Sequence, residues 1–96
     1  MIKHTVTFKL KYAKGSKEES VFMKAAGELR SIPGVENFEC LRQISTKSHF
    51  EYALSMDFDS MQTYSTYSEH PEHTTFVSQY WAAYVEDFLE LDFEVI

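Results

Sequence analysis

The 96-residue sequence predicts an α+β fold, a four-stranded antiparallel sheet carrying its helices on one face. Three observations lead there. The chain opens on a ten-residue run of alternating apolar and polar side chains, and it closes on another alternating run. Between them, two capping-box patterns each start a stretch with apolar residues at helical spacing. The order strand, helix, strand, strand, helix pair, strand is the split βαβ plan.

In the opening strand Ile2, His4, Val6, Phe8 and Leu10 share one face, and Lys3, Thr5, Thr7, Lys9 and Lys11 share the other. His4 is the only polar member of the face that the pattern buries. "KGSKEES" ends the strand, and Ser16 with Glu19 caps a helix whose apolar positions are Val21, Phe22, Ala25, Leu29 and Ile32. Pro33 and Gly34 stop it, since proline disfavours helix in the residue before it and glycine tolerates left-handed backbone.

A second strand is expected from about Val35 to Ile44, with Phe38, Cys40 and Ile44 on one side, and "STKSH" reads as a hairpin turn. The third strand alternates Phe50, Tyr52, Leu54, Met56 and Phe58 against Glu51, Ala53, Ser55 and Asp57. Asp59 with Gln62 then opens a short helix through Met61, Tyr64 and Tyr67, which Pro71 interrupts. From about Glu72 a longer helix carries Phe76, Tyr80 and Tyr84 at four-residue steps, with Val77, Trp81 and Val85 beside them. The last strand alternates Leu89, Leu91, Phe93 and Val95, while Glu86, Asp87, Glu90, Asp92 and Glu94 read as a helix end and a solvated strand face.

Composition narrows the function classes. A formal charge of −6 repels phosphates, which excludes a nucleic-acid partner. Cys40 is the single cysteine, so neither an intrachain disulfide nor a Cys-based zinc cage can form. No stretch approaches membrane-spanning length, and the opening alternates too regularly for a signal peptide; a soluble, reducing, cytoplasmic setting is the expectation. Eight Phe, six Tyr and one Trp are more aromatic surface than a domain this small buries alone, which predicts a second chain or a lined cavity.

Candidate chemistry centres on "YSEHPEHTTF", residues 67–76. Proline suits a first helical turn and Glu72 suits the positive end of a helix, so His70 and His73 fit a helix junction. A neutral imidazole beside Tyr67 also fits a general base paired with a hydroxyl donor. His4 and Tyr52 sit on the apolar faces of two strands, where each is either a satisfied core group or a wall of a cavity. A metal would need His70 and His73 with Glu72 or His4, and Pro71 disturbs that spacing, so no metal is expected. Cys40 has no histidine near it, no serine sits in a nucleophile elbow, and Gly15, Gly27 and Gly34 are too dispersed to cradle phosphate.

Together "MIKHTVTFKLK", "IPGV", "YALSMDFDS" and "HPEHTTF" resemble the stress-responsive α/β-barrel (Dabb) family over nearly the whole chain. The resemblance implies one domain over residues 1–96, a ferredoxin-like protomer that forms a homodimeric α/β barrel by packing two sheets face to face. A plant polyketide cyclase of that family works without metal or organic cofactor in a pocket between sheet and helices. Its catalytic tyrosine and histidine correspond to Tyr67 and His73, and its first-strand pocket histidine to His4. Tyr52 stands where that enzyme has a third-strand histidine, and Ala25 where it has a pocket tyrosine. The acid–base pair is kept and the pocket wall is changed.

Two functional readings follow. In one, His73 is general base and Tyr67 hydrogen-bond donor toward a small apolar or aromatic carbonyl ligand, with His4 and Tyr52 orienting it and no cofactor. In the other, the protein is a non-catalytic stress-associated oligomer or binding module whose histidines are packing and capping groups; His70 is expected to be structural in either reading. A cavity of roughly 300 Å³ or more touching His4, Tyr67 and His73 together would favour the first, and side chains filling that space the second.

Overall fold

A computed structural model describes all 96 residues. The chain folds as β1 (Ile2–Leu10), α1 (Lys17–Gly27) with a 3₁₀ turn (Glu28–Ser31), β2 (Glu36–Arg42), β3 (Tyr52–Phe58), α2 (Met61–Glu69), α3 (Pro71–Phe76) and β4 (Val85–Glu94). All strands pair antiparallel in the order β2-β3-β1-β4, so the first strand lies inside the sheet and the last forms an edge. This is the ferredoxin-like arrangement that the element order predicts. No helix is long and apolar enough to cross a membrane.

Helix starts and stops follow local chemistry. The Ser16 hydroxyl accepts from the Glu19 amide at 3.2 Å, as the capping pattern requires. At α2 the cap is Ser60, not Asp59: its hydroxyl accepts from the Thr63 amide, while Asp59 accepts from the Thr63 hydroxyl at 2.6 Å. Gly34 has φ of +93°, and a Cβ there would meet Thr63 Cγ2 at 2.4 Å, so both backbone angle and the close approach of α2 demand glycine.

The core lies between sheet and helices. Phe8, Phe22, Phe58 and Ala26 are fully buried, with Leu10, Leu29, Ile32, Leu54 and Met56 around them. In α1 the buried positions are Phe22 and Ala26, and Val21 is exposed. β2 is shorter than predicted and ends at Arg42, leaving Ile44 at 90% exposure beyond the last strand pairing. Likewise, β3 begins at Tyr52 rather than Phe50.

After α3 the helix does not simply continue. It passes through a π-helical turn (Val77–Trp81) and a last turn (Ala82–Tyr84). One extra residue in that turn brings Phe76 and Trp81, five apart, onto the inner face, where their rings lie 5.6 and 6.1 Å from Phe22. The four-residue steps Phe76, Tyr80 and Tyr84 therefore do not share the core; the two tyrosines are only partly buried.

β4 corrects the reading of its two faces. Phe88, Glu90 and Asp92 pair with Phe8, Val6 and His4, residues of the helix-facing side of β1. Leu89, Leu91 and Phe93 pair with Thr7, Thr5 and Lys3 on the outer side. The acids thus face the helix layer and the apolar residues face away from it. Those three, with Leu41 on β2, are about half exposed, at 44–50%. Asp57 and Ser55 on the outer side of β3 are nevertheless buried; Asp57 accepts from Lys3 Nζ and from Asn37 Nδ2, each at 3.0 Å. Those bonds hold the Asp57 carboxyl below its usual range.

Candidate functional site

The junction between α2 and α3 builds the site. His70 takes an extended backbone (φ −62°, ψ 137°) that ends α2, and Pro71 starts α3. His70 Nδ1 accepts from the Glu72 amide at 3.1 Å, and its carbonyl accepts from the His73 and Thr74 amides. The first histidine of the pair is therefore a helix cap. His73, one turn later, folds back so that its ring lies 4.6 Å from that of Tyr67. Its Nδ1 donates to the Ser68 carbonyl at 2.9 Å. A carbonyl can only accept, so the Nδ1 proton is fixed and Nε2 carries the lone pair of the neutral ring.

Tyr67 ends α2 on its buried side, 2% exposed, with its ring 5.0 Å from Phe58 and 6.3 Å from His4. Its hydroxyl makes no hydrogen bond within the chain. Burial, reinforced by the negative charge of Glu90, pushes this phenol well above its ordinary value, so it stays protonated and acts as a donor. Burial also lowers His73 below its usual value of 6.5; the nearby His4 adds to this, while the Ser68 bond and Glu90 oppose it. His73 is therefore neutral at neutral pH.

His4, Tyr67 and His73 line one cavity of about 280 Å³ between sheet and helices. Its remaining wall is largely apolar: Val6, Leu54, Met56, Val77, Trp81 and Phe88 among others, with Glu90 as its one carboxylate. The volume is marginally below the 300 Å³ mark, and the three expected residues share the space. Leu29 and Phe76 separate it from a larger, more open cleft of about 590 Å³, lined by Glu28, Glu72, Gln79 and Tyr80 among others, which holds no histidine. His4, His73 and Tyr67 therefore face the smaller cavity.

Tyr52 is elsewhere. It pairs with Phe8, four residues along β1 from His4, or about 13 Å at the rise of a strand. It does not line the cavity, and its hydroxyl donates to the Glu19 carboxylate, tying β3 to α1. A strand's buried face is long enough to serve two sites, and sharing that face with His4 did not bring the two together.

Four groups that the sequence expectations did not single out for the site, Asp92, Tyr64, Trp81 and Glu90, complete the surroundings. Asp92 Oδ1 lies 2.6 Å from His4 Nδ1, and the Tyr64 hydroxyl lies 2.9 Å from both His4 Nδ1 and Asp92 Oδ2. Burial and the bond to Asp92 push the Tyr64 phenol upward. Trp81 closes the cavity from the π-helical turn. The signal for Asp92 and Glu90 was their alternation with Leu91 and Phe93, which marks two faces without saying which is inward. Donor atoms of His4, Glu90 and Asp92 lie within 4.8 Å of one another, but His4 Nδ1 is already engaged by Asp92 and Tyr64. His4, Asp92 and Tyr64 form a hydrogen-bonded cluster, with the Glu90 carboxylate beside it. Similarly, His70 Nδ1 is engaged by the Glu72 amide as a helix cap.

The family described as Stress responsive A/B Barrel Domain (Dabb) matches residues 2–95. A Dabb family protein of ferredoxin-like fold from Mesorhizobium loti is 44% identical and superposes with a TM-score of 0.97, covering 99% of this chain and 96% of its own. A dimeric ferredoxin-like protein of unknown function from Bacteroides fragilis is 25% identical with a TM-score of 0.75, covering 98% and 95%. The hydroxynitrile lyase from Passiflora edulis shares the fold at 17% identity, TM-score 0.86, covering 99% and 93%. No curated protein sequence matches the chain.

Proposed function

We propose that this chain, which belongs to the Stress responsive A/B Barrel Domain family, binds a compact neutral carbonyl compound in its sheet–helix pocket and moves a proton on it without a cofactor. The Tyr67 hydroxyl carries this reading. On a residue only 2% exposed, this donor opens on the cavity with no partner in the chain, beside a neutral histidine. Buried polar groups are nearly always paired, and an unpaired one at a cavity wall points to a ligand atom as its partner. A carbonyl oxygen gaining negative charge suits a phenol donor, and the His73 Nε2 lone pair suits the acidic C–H or O–H of the same molecule.

Charge supports a neutral ligand. None of the twelve lining residues is Lys or Arg, and Glu90 would repel a carboxylate or phosphate. A volume of about 280 Å³ favours a small diketone or short polyketide-like molecule over a bulky thioester. That the same fold serves a hydroxynitrile lyase is an analogy of scaffold and adds only that much. We further propose a homodimer in which two sheets close into an α/β barrel, burying Leu41, Leu89, Leu91 and Phe93, which one protomer leaves half exposed.

A panel of neutral ketones, aldehydes and diketones tests the chemistry. His73→Ala should lower turnover of every hit by about 10²–10⁴-fold. Equal turnover by wild type and variant would remove the catalytic reading and leave a binding module.

A further inference from the structure

We infer that Asp92, assisted by Tyr64, holds His4 in the tautomer whose Nε2 lone pair faces the pocket, so that His4 is a proton acceptor and Asp92 its positioning residue. This deepens the pocket reading above and rests on it.

Hydrogen-bond valence leads to the tautomer. Asp92 Oδ1 stands 2.6 Å from His4 Nδ1, and an ionised carboxylate offers only lone pairs. A lone pair on Nδ1 would face another lone pair at that distance, so Nδ1 must carry the proton and donate it. The Tyr64 hydroxyl donates to Asp92 Oδ2 at 2.9 Å, and its oxygen can share the Nδ1 proton at 2.9 Å. The Nδ1 proton is then shared between Asp92 Oδ1 and the Tyr64 oxygen, while the Tyr64 proton goes to Asp92 Oδ2, and no two lone pairs are opposed. In neutral His4 the remaining nitrogen, Nε2, is an acceptor with no partner in the chain.

Position decides where that lone pair points. His4 is 7% exposed and lines the cavity, whereas Asp92 and Tyr64 do not line it. The Nδ1 edge is thus turned toward β4 and α2, and the opposite edge toward the cavity. Around His4 stand Asp92 and Glu90 on β4, Tyr64 and Tyr67 on α2 and His73 on α3. The pocket therefore offers two imidazole acceptors, His4 and His73, and one phenol donor, Tyr67. Of the two acceptors only His4 is backed by a carboxylate; His73 is backed by the neutral Ser68 carbonyl.

The step balances simply. Where the ligand's acidic C–H faces β1 rather than α3, His4 Nε2 instead of His73 Nε2 takes its proton, and the bonding pair stays on the ligand as an enolate. The enolate oxygen is hydrogen-bonded by Tyr67, and the positive charge on the His4 ring is opposed by Asp92. Asp92 is 39% exposed, so solvent reaches its carboxylate while one oxygen serves His4.

The tautomer can be read without any substrate. Long-range ¹⁵N–¹H correlation on the uniformly labelled full chain at neutral pH should show His4 with Nδ1 protonated and Nε2 unprotonated. Asp92→Asn, which replaces an obligate acceptor with an amide that can donate to Nδ1, should move His4 toward the Nε2-protonated form. Tyr64→Phe should leave the tautomer as it is. A His4 ring protonated on Nε2 in the wild type, or one indifferent to Asp92→Asn, overturns the inference; the wild-type spectrum decides even where the variant fails to fold.

Deuterium exchange at the central carbon of 2,4-pentanedione provides the functional arm. Asp92→Asn should cut kcat by about 10²-fold with KM unchanged, and an undiminished kcat would also overturn the assignment. Absence of exchange in the wild type would instead count against the proposed function, and the tautomer would still decide this inference.

Discussion

Replacing Tyr67 by phenylalanine should stabilise the protein while weakening its function. The substitution removes one oxygen and keeps the ring, so the contacts with Phe58, His4 and His73 at 5.0, 6.3 and 4.6 Å persist. That oxygen sits on a residue 2% exposed and has no hydrogen-bond partner in the chain. A fully buried unpaired hydroxyl costs about 1–3 kcal/mol, and because this oxygen opens on the cavity the relief is at most the low end, about 1 kcal/mol. For a domain of this size that raises Tm by about 4–8 °C. Both proteins must be compared at one protomer concentration, because association would shift either transition. Ligand affinity should fall about 2–13-fold, from the loss of one net hydrogen bond of roughly 0.5–1.5 kcal/mol. Where the ligand reacts, the loss in kcat should reach about 10²-fold, as for removal of an oxyanion donor. A fall in Tm with unchanged binding would refute the reasoning, since it would make the hydroxyl a structural group.

Other expectations follow from the outer sheet face and from the buried imidazole. Leu91→Glu puts a charge among Leu89, Phe93 and Leu41 on the outer face, and light scattering at micromolar concentration should show monomer where the wild type is dimer. A wild-type monomer would sink the barrel proposal. His73 is held below its ordinary 6.5, so the unfolded chain binds more protons than the folded one between the lowered value and 6.5. Stability should therefore be full above pH 6.5 and decline as pH falls through that window. Urea midpoints against pH should show this slope in the wild type and its loss in His73→Gln; a slope that survives the substitution belongs to another group.

The legible parts of this fold are those where a periodic pattern meets a single physical cause. β1 alternates because one face is buried, and Val6, Phe8 and Leu10 are buried as the pattern requires. Ser16 caps α1 because hydroxyl and amide are local partners. His70 and His73 separate into a helix cap and a cavity-lining residue because Pro71 fixes the turn between them. What sequence periodicity misses depends on a second surface. In β4 the apolar residues point away from the core, which a one-layer view of burial inverts. The same inversion hid Glu90 and Asp92, whose partners His4 and Tyr64 lie 88 and 28 residues away for Asp92. The π-helical turn escaped because its inserted residue breaks the four-residue rhythm that makes helices visible. Tyr52 shares a face with His4 but not a place, since a face extends the whole length of a strand.

Direct observation of a ligand tests the central claim, a pocket built by His4, Tyr67 and His73 for a neutral carbonyl compound. Titrating 2,4-pentanedione and, separately, a carboxylate of similar size into labelled protein should give saturable shifts at His4, Tyr67 and His73 with the diketone and none with the anion. A crystal soaked with the diketone should place a carbonyl oxygen within hydrogen-bond distance of the Tyr67 hydroxyl. Equal response to both probes, or shifts confined to the open cleft lined by Glu28, Glu72 and Tyr80, would contradict the account.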